Sequence, residues 1–118
     1  MIDHLTVRVR DLNKAKAFYA SALAPLGYSV LMEFGEYIGL GADQKPDLWI
    51  APGKQESMHL AIVAKDRKAV DAFYQAALQA GAKDNGKPGI RVDYHPNYYG
   101  AFVIDPEGHN LEAVCHKA

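Results

Sequence analysis

Two histidines and one glutamate in this chain are spaced as metal ligands would be. His4 opens the segment His4-Leu5-Thr6-Val7-Arg8-Val9-Arg10-Asp11, and 55 residues later His59 opens His59-Leu60-Ala61-Ile62-Val63-Ala64-Lys65-Asp66. Near the C-terminus Glu112 alternates with Leu111 and Ala113 in Asn110–His116. All three fall on the polar side of an alternating pattern, so each projects from the face of a strand opposite to its apolar packing side. Two imidazoles and a carboxylate converging from separate strands form a facial triad, which leaves positions open for substrate or oxygen. Such a set suits Fe, Mn, Ni, Co or Zn and does not choose among them. The competing reading is three solvated surface groups at strand ends. The duplication of the histidine brings the metal reading level with it, because the two copies share little else that is polar beyond the terminal Asp.

Other residues carry weaker chemical signals. His95-Pro96-Asn97-Tyr98-Tyr99 is a polar, aromatic loop. It reads either as an ordinary surface loop or as a substrate gate with an acid–base histidine near neutral pKa. Arg8 shares the strand face of His4 and is placed to bind a substrate carboxylate or to form a structural salt bridge. Cys115 falls on the apolar face of its strand, as a buried inert thiol would. His116 lies two residues beyond Glu112 on the same face.

The elements that must position these groups repeat. With the strands aligned, Ala17-Phe18-Tyr19 matches Ala72-Phe73-Tyr74, Ala22-Leu23 matches Ala77-Leu78, and after a one-residue difference Gly27 matches Gly81. A repeat of this length is one supersecondary unit used twice. Each unit opens with a strand, His4–Arg10 or one starting near Met58. A helix follows, with apolar residues at 12, 15, 18, 19, 22, 23 and 26, and at 70, 73, 74, 77 and 78, on a 3.6-residue period. Asp11 and Asp66 are N-caps by type and place, and Gly27 and Gly81 lie where C-caps belong. Strands are then predicted at Tyr28–Phe34, Tyr37–Leu40 and Asp47–Ala51, with a type II′ turn at Gly35-Glu36. In the second unit they are predicted at Ile90–Tyr94, Tyr99–Ile104 and Asn110–His116. Asp105-Pro106-Glu107-Gly108 makes a type I turn, and Gly41–Pro46, Gly86–Gly89 and His95–Tyr98 are loops. The fold is α+β, two βαβββ modules in tandem, at about 1–53 and 54–118, within one domain spanning residues 1–118.

Composition narrows the function classes. With 118 residues and 49% hydrophobic content, the chain can bury a sizeable core. A net charge of −1 with no basic block argues against nucleic-acid binding. No apolar run approaches the roughly 20 residues of a membrane span, and no signal-peptide pattern opens the chain. A single cysteine excludes an internal disulfide and fits a reducing compartment. The expectation is a cytoplasmic protein without nucleic-acid or membrane partners.

The pieces Ile2-Asp3-His4-Leu5-Thr6-Val7, Phe18-Tyr19, His59-Leu60-Ala61-Ile62 and Asp105-Pro106-Glu107-Gly108-His109-Asn110-Leu111-Glu112 together resemble the vicinal oxygen chelate superfamily. That superfamily holds glyoxalase I, extradiol dioxygenases, fosfomycin and bleomycin resistance proteins and methylmalonyl-CoA epimerase. The resemblance covers essentially the whole chain and implies curved mixed sheets that form a cup. It places one metal-site position in each of four strands. His4, His59 and Glu112 match three. Trp49 stands at the fourth, where glyoxalase I would have a carboxylate, so the set is closer to the two-His-one-carboxylate set of extradiol dioxygenases. Those enzymes use a further His and Tyr, for which His95, Tyr98 and Tyr99 are the candidates. In that frame Trp49 faces the cup, either stacking on a planar substrate or filling the space of a missing ligand.

The functional expectation is a divalent-metal-dependent enzyme, a lyase, isomerase or dioxygenase, acting on a small substrate with vicinal oxygens. The metal polarises those oxygens as a Lewis acid. His95 and Tyr98 are the catalytic candidates, and Trp49, Arg8 and Tyr99 the substrate-binding ones. The alternative is a metal-free small-molecule binding protein of the antibiotic-resistance type. A homodimer is expected under either reading, because two small curved sheets leave strand edges and a half-open cavity for a partner to cover.

Overall fold

A computed structural model of the protein describes residues 2–118. The first module runs β1 (Leu5–Val9), α1 (Leu12–Ala22), β2 (Ser29–Phe34), β3 (Tyr37–Gly41) and β4 (Leu48–Pro52). The second runs β5 (His59–Val63), α2 (Arg67–Gln79), β6 (Lys83–Ile90), β7 (Tyr99–Ile104) and β8 (Asn110–Cys115). Each module forms one four-stranded mixed sheet, in the order β1–β4–β3–β2 or β5–β8–β7–β6. The first strand of each pairs in parallel with the last, and the other pairings are antiparallel. The repeat read from the residues is therefore a repeat of structure, an α+β fold of two βαβββ units.

The helices form because each offers one apolar stripe to its sheet. Ala15, Phe18, Tyr19 and Ala22 of α1 are buried, as are Val70, Phe73, Tyr74 and Ala77 of α2. They meet the inward-facing strand residues, among them Val7, Val9, Ile50, Val103, Leu111 and Ala113. Burial of each large side chain contributes roughly 1.5–3 kcal/mol. The two modules join through α1 against α2 and a short 3₁₀ turn at Ala24–Leu26 against α2. The predicted N-caps are in place: Asp11 accepts from Lys14 N at 3.1 Å, and Asp66 from Ala69 N at 2.8 Å.

Three local expectations need correction. The apolar period of the first helix runs to residue 26, but α1 stops at Ala22, and Pro25, which has no N–H to donate, confines the remainder to the 3₁₀ turn. Gly27, at φ +87°, caps that turn rather than α1. The second-module strand predicted at Ile90–Tyr94 is instead β6 at Lys83–Ile90, and residues 91–98 form the hairpin tip. Gly86, Pro88 and Gly89 look like a loop, but β6 is an edge strand where a proline needs no ladder partner, and its register shifts absorb the glycines. The Gly35-Glu36 turn holds as expected, with φ +60° at Gly35 and no positive φ at Glu36. Among the described residues no helix is long and apolar enough to cross a membrane.

Candidate functional site

Each sheet turns one face to the helices and leaves the other open. On the open face of the second sheet, strand register sets Ala61, Glu112 and Phe102 side by side. His59, two residues before Ala61, shares that face. Its Nε2 lies 2.7 Å from Glu112 Oε1. Glu112 is fully buried, although it is the acidic residue in the middle of β8. The hydroxyl of Tyr98 donates to its other oxygen, Oε2. Gly100 makes this possible: a Cβ there would stand 3.2 Å from the Tyr98 ring and 3.4 Å from Oε2. Burial first, and the Glu112 carboxylate second, push the Tyr98 phenol up to about 12, so it keeps its proton. An aromatic rim surrounds the pair. The rings of Tyr94 and His116 lie 5.1 and 5.2 Å from that of Tyr98, and His95 lies 6.0 Å from His116. His95 is exposed, and its Nδ1 accepts from Asn97 N.

The open face of the first sheet is built differently. Thr6 and Trp49 occupy the register positions that Ala61 and Glu112 hold in the second. Trp49 lies across Gly39, where a Cβ would come within 2.9 Å of the indole. His4 stands just before β1. Its Nδ1 is 2.7 Å from Asp3 Oδ2, and Lys45 Nζ is 2.5 Å from Asp3 Oδ1. The His4 hydrogen bond, followed by Lys45, lowers the Asp3 carboxyl below its usual range. A cavity of about 550 Å³ opens here, lined by His4, Thr6, Met32, Phe34, Tyr37 and Trp49, among others. Arg8 lies at its edge, 5.5 Å over the Tyr37 ring, with its Nη atoms donating to Pro52 O and Tyr37 Oη at 3.3 Å each.

The predicted residues thus divide between two places. His59, Glu112 and Tyr98 come together, with His95 at their rim. His4, Trp49 and Arg8 sit on the other sheet. Among the described residues of one chain, no three His, Cys, Asp or Glu side chains are grouped as a metal cluster, so His4 does not join His59 and Glu112. Tyr99 belongs to neither place. Strand alternation turns it to the helix side, where its hydroxyl donates to Asp71 at 2.6 Å and Arg67 lies 5.2 Å over its ring. A substrate-binding role for Tyr99 is therefore at odds with its position. Two residues of the open second face escaped the sequence reading. Phe102 could have been found from its alternation with Gly100. Arg91 was hidden by the misplacement of β6.

A family model described as the Glyoxalase/Bleomycin resistance protein/Dioxygenase superfamily matches residues 1–113. The chain belongs to that superfamily. Among solved structures, a glyoxalase/bleomycin resistance protein from Albidiferax ferrireducens T118 is similar at 25% identity and a TM-score of 0.82, covering 96% of this chain and 97% of that one. A glyoxalase/bleomycin resistance protein/dioxygenase family enzyme from Burkholderia phytofirmans PsJN has 17% identity, TM-score 0.75 and 98% coverage of both chains. A lactoylglutathione lyase from Agrobacterium tumefaciens has 17% identity and TM-score 0.73, covering 98% of this chain and 92% of that one. The last two likenesses are of fold alone. A comparison with curated proteins finds no match. Among the described residues, only the second of the two open sheet faces carries a buried carboxylate.

Proposed function

We propose that this superfamily member is a divalent-metal-dependent enzyme acting on a small substrate with vicinal oxygens, with its centre completed across a homodimer. The observation that carries the reading is Glu112. A fully buried carboxylate is costly unless a cation or several donors compensate it, and its only side-chain partners among the described residues are His59 and Tyr98. The donor set fits a divalent Fe, Ni, Zn or Mn ion in kind, with an imidazole nitrogen beside a carboxylate oxygen. His4 supplies the third donor from a second copy of the chain. Its Nδ1 is already engaged by Asp3, which leaves Nε2 free and the ring oriented, as outer carboxylates do for metal-bound histidines.

When bound, the metal supplies Lewis-acid polarisation of the substrate oxygens. The protein's own groups do the rest. Tyr98 keeps its proton, donates a hydrogen bond to Glu112 Oε2 and so orients the carboxylate. His95, exposed at the rim, exchanges protons with solvent. Trp49, with Arg8 at its edge, offers an apolar wall to the body of the substrate. Pairing is supported by free sheet edges at β1, β2, β5 and β6, and by an apolar cleft of about 470 Å³ along Leu60–Val63. Phe34 and Val63 are 75% and 68% exposed.

The test is metal analysis of protein purified without chelator, beside His59→Ala and His4→Ala, with light scattering on each. The expected result is retained metal in the wild type, loss in both variants, and a particle near twice 12.9 kDa. Equally negligible metal in all three, or a monomer at micromolar concentration, overturns the reading. The cavity beside Trp49 favours a second one, a metal-free binder of planar apolar molecules. Thermal stabilisation by such molecules, with none from any divalent ion, would establish that reading instead.

A further inference from the structure

We infer that Arg91 is the receptor for a carboxylate on the substrate. The substrate is then an anionic molecule that lies across Phe102, with its vicinal oxygens at the His59–Glu112 pair and its carboxylate at the guanidinium. This rests on the reading of that pair as the reaction site.

Four observations converge. First, the Arg91 guanidinium lies 5.3 Å over the Phe102 ring. Phe102 is next to Glu112 in register, and its ring is 6.1 Å from the His59 imidazole. The row from pair to arginine is therefore continuous along one open face. Second, that face is cleared for the guanidinium. A Cβ at Gly86 would stand 3.2 Å from Nη2, and one at Gly89 would stand 3.1 Å from Nη1. Two residues of β6 carry no side chain where the arginine lies. Third, the group is held but not neutralised. Nη2 donates to Lys87 O at 2.7 Å, which fixes the plane. No carboxylate lies within ion-pair distance of it among the described residues, and its other N–H groups have no partner there. Fourth, Arg91 is half-buried, so stacking and partial desolvation already hold it in one geometry. A planar, fixed, unneutralised fork is suited to a carboxylate in a way that a mobile lysine is not. Arg8 has no such capacity, because both its Nη atoms already serve Pro52 O and Tyr37 Oη.

The test uses protein kept in EDTA and two ring probes of similar size, benzoate and benzyl alcohol, followed by NMR at the Arg91 Nε–H and the Phe102 ring. Benzoate is expected to shift both signals and to bind about tenfold tighter than benzyl alcohol. Arg91→Met is expected to abolish that preference, and Arg91→Lys to keep part of it. Equal binding of the two probes by the wild type overturns the inference, and so does an Arg91→Met variant that still prefers benzoate. The wild-type comparison decides even if the variant misfolds. With no metal present, failure here is separate from failure of the metal reading, which the metal content of His59→Ala reports.

Discussion

The two modules share a scaffold, and the difference at one strand position of their open faces separates chemistry from architecture. Asp11 and Asp66 both cap helices, Phe18-Tyr19 and Phe73-Tyr74 both fill the core, and His4 and His59 both stand at the mouth of a first strand. Where the last strand crosses the middle of the open face, the first module has Trp49 and the second Glu112. Trp49 lies half-buried over Gly39 and shapes an apolar cavity. Glu112 is buried under Tyr98 and faces an imidazole. One half-face therefore presents apolar area and the other a buried carboxylate. A second asymmetry ties them together. The Asp105–Gly108 turn of the second module reaches the first helix, through Tyr19 Oη donating to Asp105 and Asp11 N donating to Glu107. Asp105 also accepts from the backbone of Glu107 and His109, so this buried carboxylate has a structural role that Glu112 lacks.

If the modules are equivalent as scaffolds, the matched core substitutions Phe18→Ala and Phe73→Ala should each cost about 3–5 kcal/mol, since both rings are buried to within 2%. Urea unfolding of both variants checks this. A large cost in one and a small cost in the other would mean that one module alone carries the stability. The chemical side of the comparison predicts the opposite pattern. Glu112→Ala should weaken divalent-metal binding by more than the roughly 10–100-fold typical of outer-shell changes, while Trp49→Ala leaves it nearly unchanged. Calorimetric titration of both variants measures this, and a comparable loss in Trp49→Ala would erase the distinction. Next in size is Gly39→Ala, whose new methyl would press on the indole and on Pro46 at 2.9 Å. It should cost about 1–3 kcal/mol and change the fluorescence of the single tryptophan.

What was legible in the residues follows physical locality. Strand alternation, helical period and the capping aspartates are encoded within a few residues, so β1, β5, both helices and β8 stand close to where the pattern puts them. Lys83–Ile90 was not legible, because glycine and proline weaken a strand only on average, and edge position overrides that preference. Pro25 should have signalled the end of α1, but the apolar period carried past it. The pairing of His59 with Glu112 could be anticipated from the facing sides of two strands. The separation of His4 could not, because it depends on how the modules join, through helix contacts that no local pattern specifies. Arg91 was invisible for a related reason: its neighbours are two glycines and a phenylalanine from other parts of β6 and β7.

The smallest expected effect is also the most symmetric test. Asp66 accepts from Ala69 N at 2.8 Å in a half-buried setting, and Asp11 from Lys14 N at 3.1 Å in an exposed one. Replacing an N-cap aspartate with alanine leaves a helix-end N–H without its acceptor and costs about 1 kcal/mol. Water can take the place of the Asp11 carboxylate more easily than that of Asp66, so Asp66→Ala should be the costlier change. Asp11 offers a compensating control, because its backbone N–H, which the substitution retains, is the group that meets Glu107. Its variant should therefore keep the tie between modules while losing the cap. Glu107→Gln, combined with each cap variant in a double-mutant cycle, separates the two roles. Coupling to Asp11→Ala beyond a few tenths of a kcal/mol, with none to Asp66→Ala, would show that the first cap also sets how the modules meet. No coupling in either cycle would mean that the first cap plays no part in how the modules meet, which is then left to the helix contacts and the Tyr19–Asp105 bond.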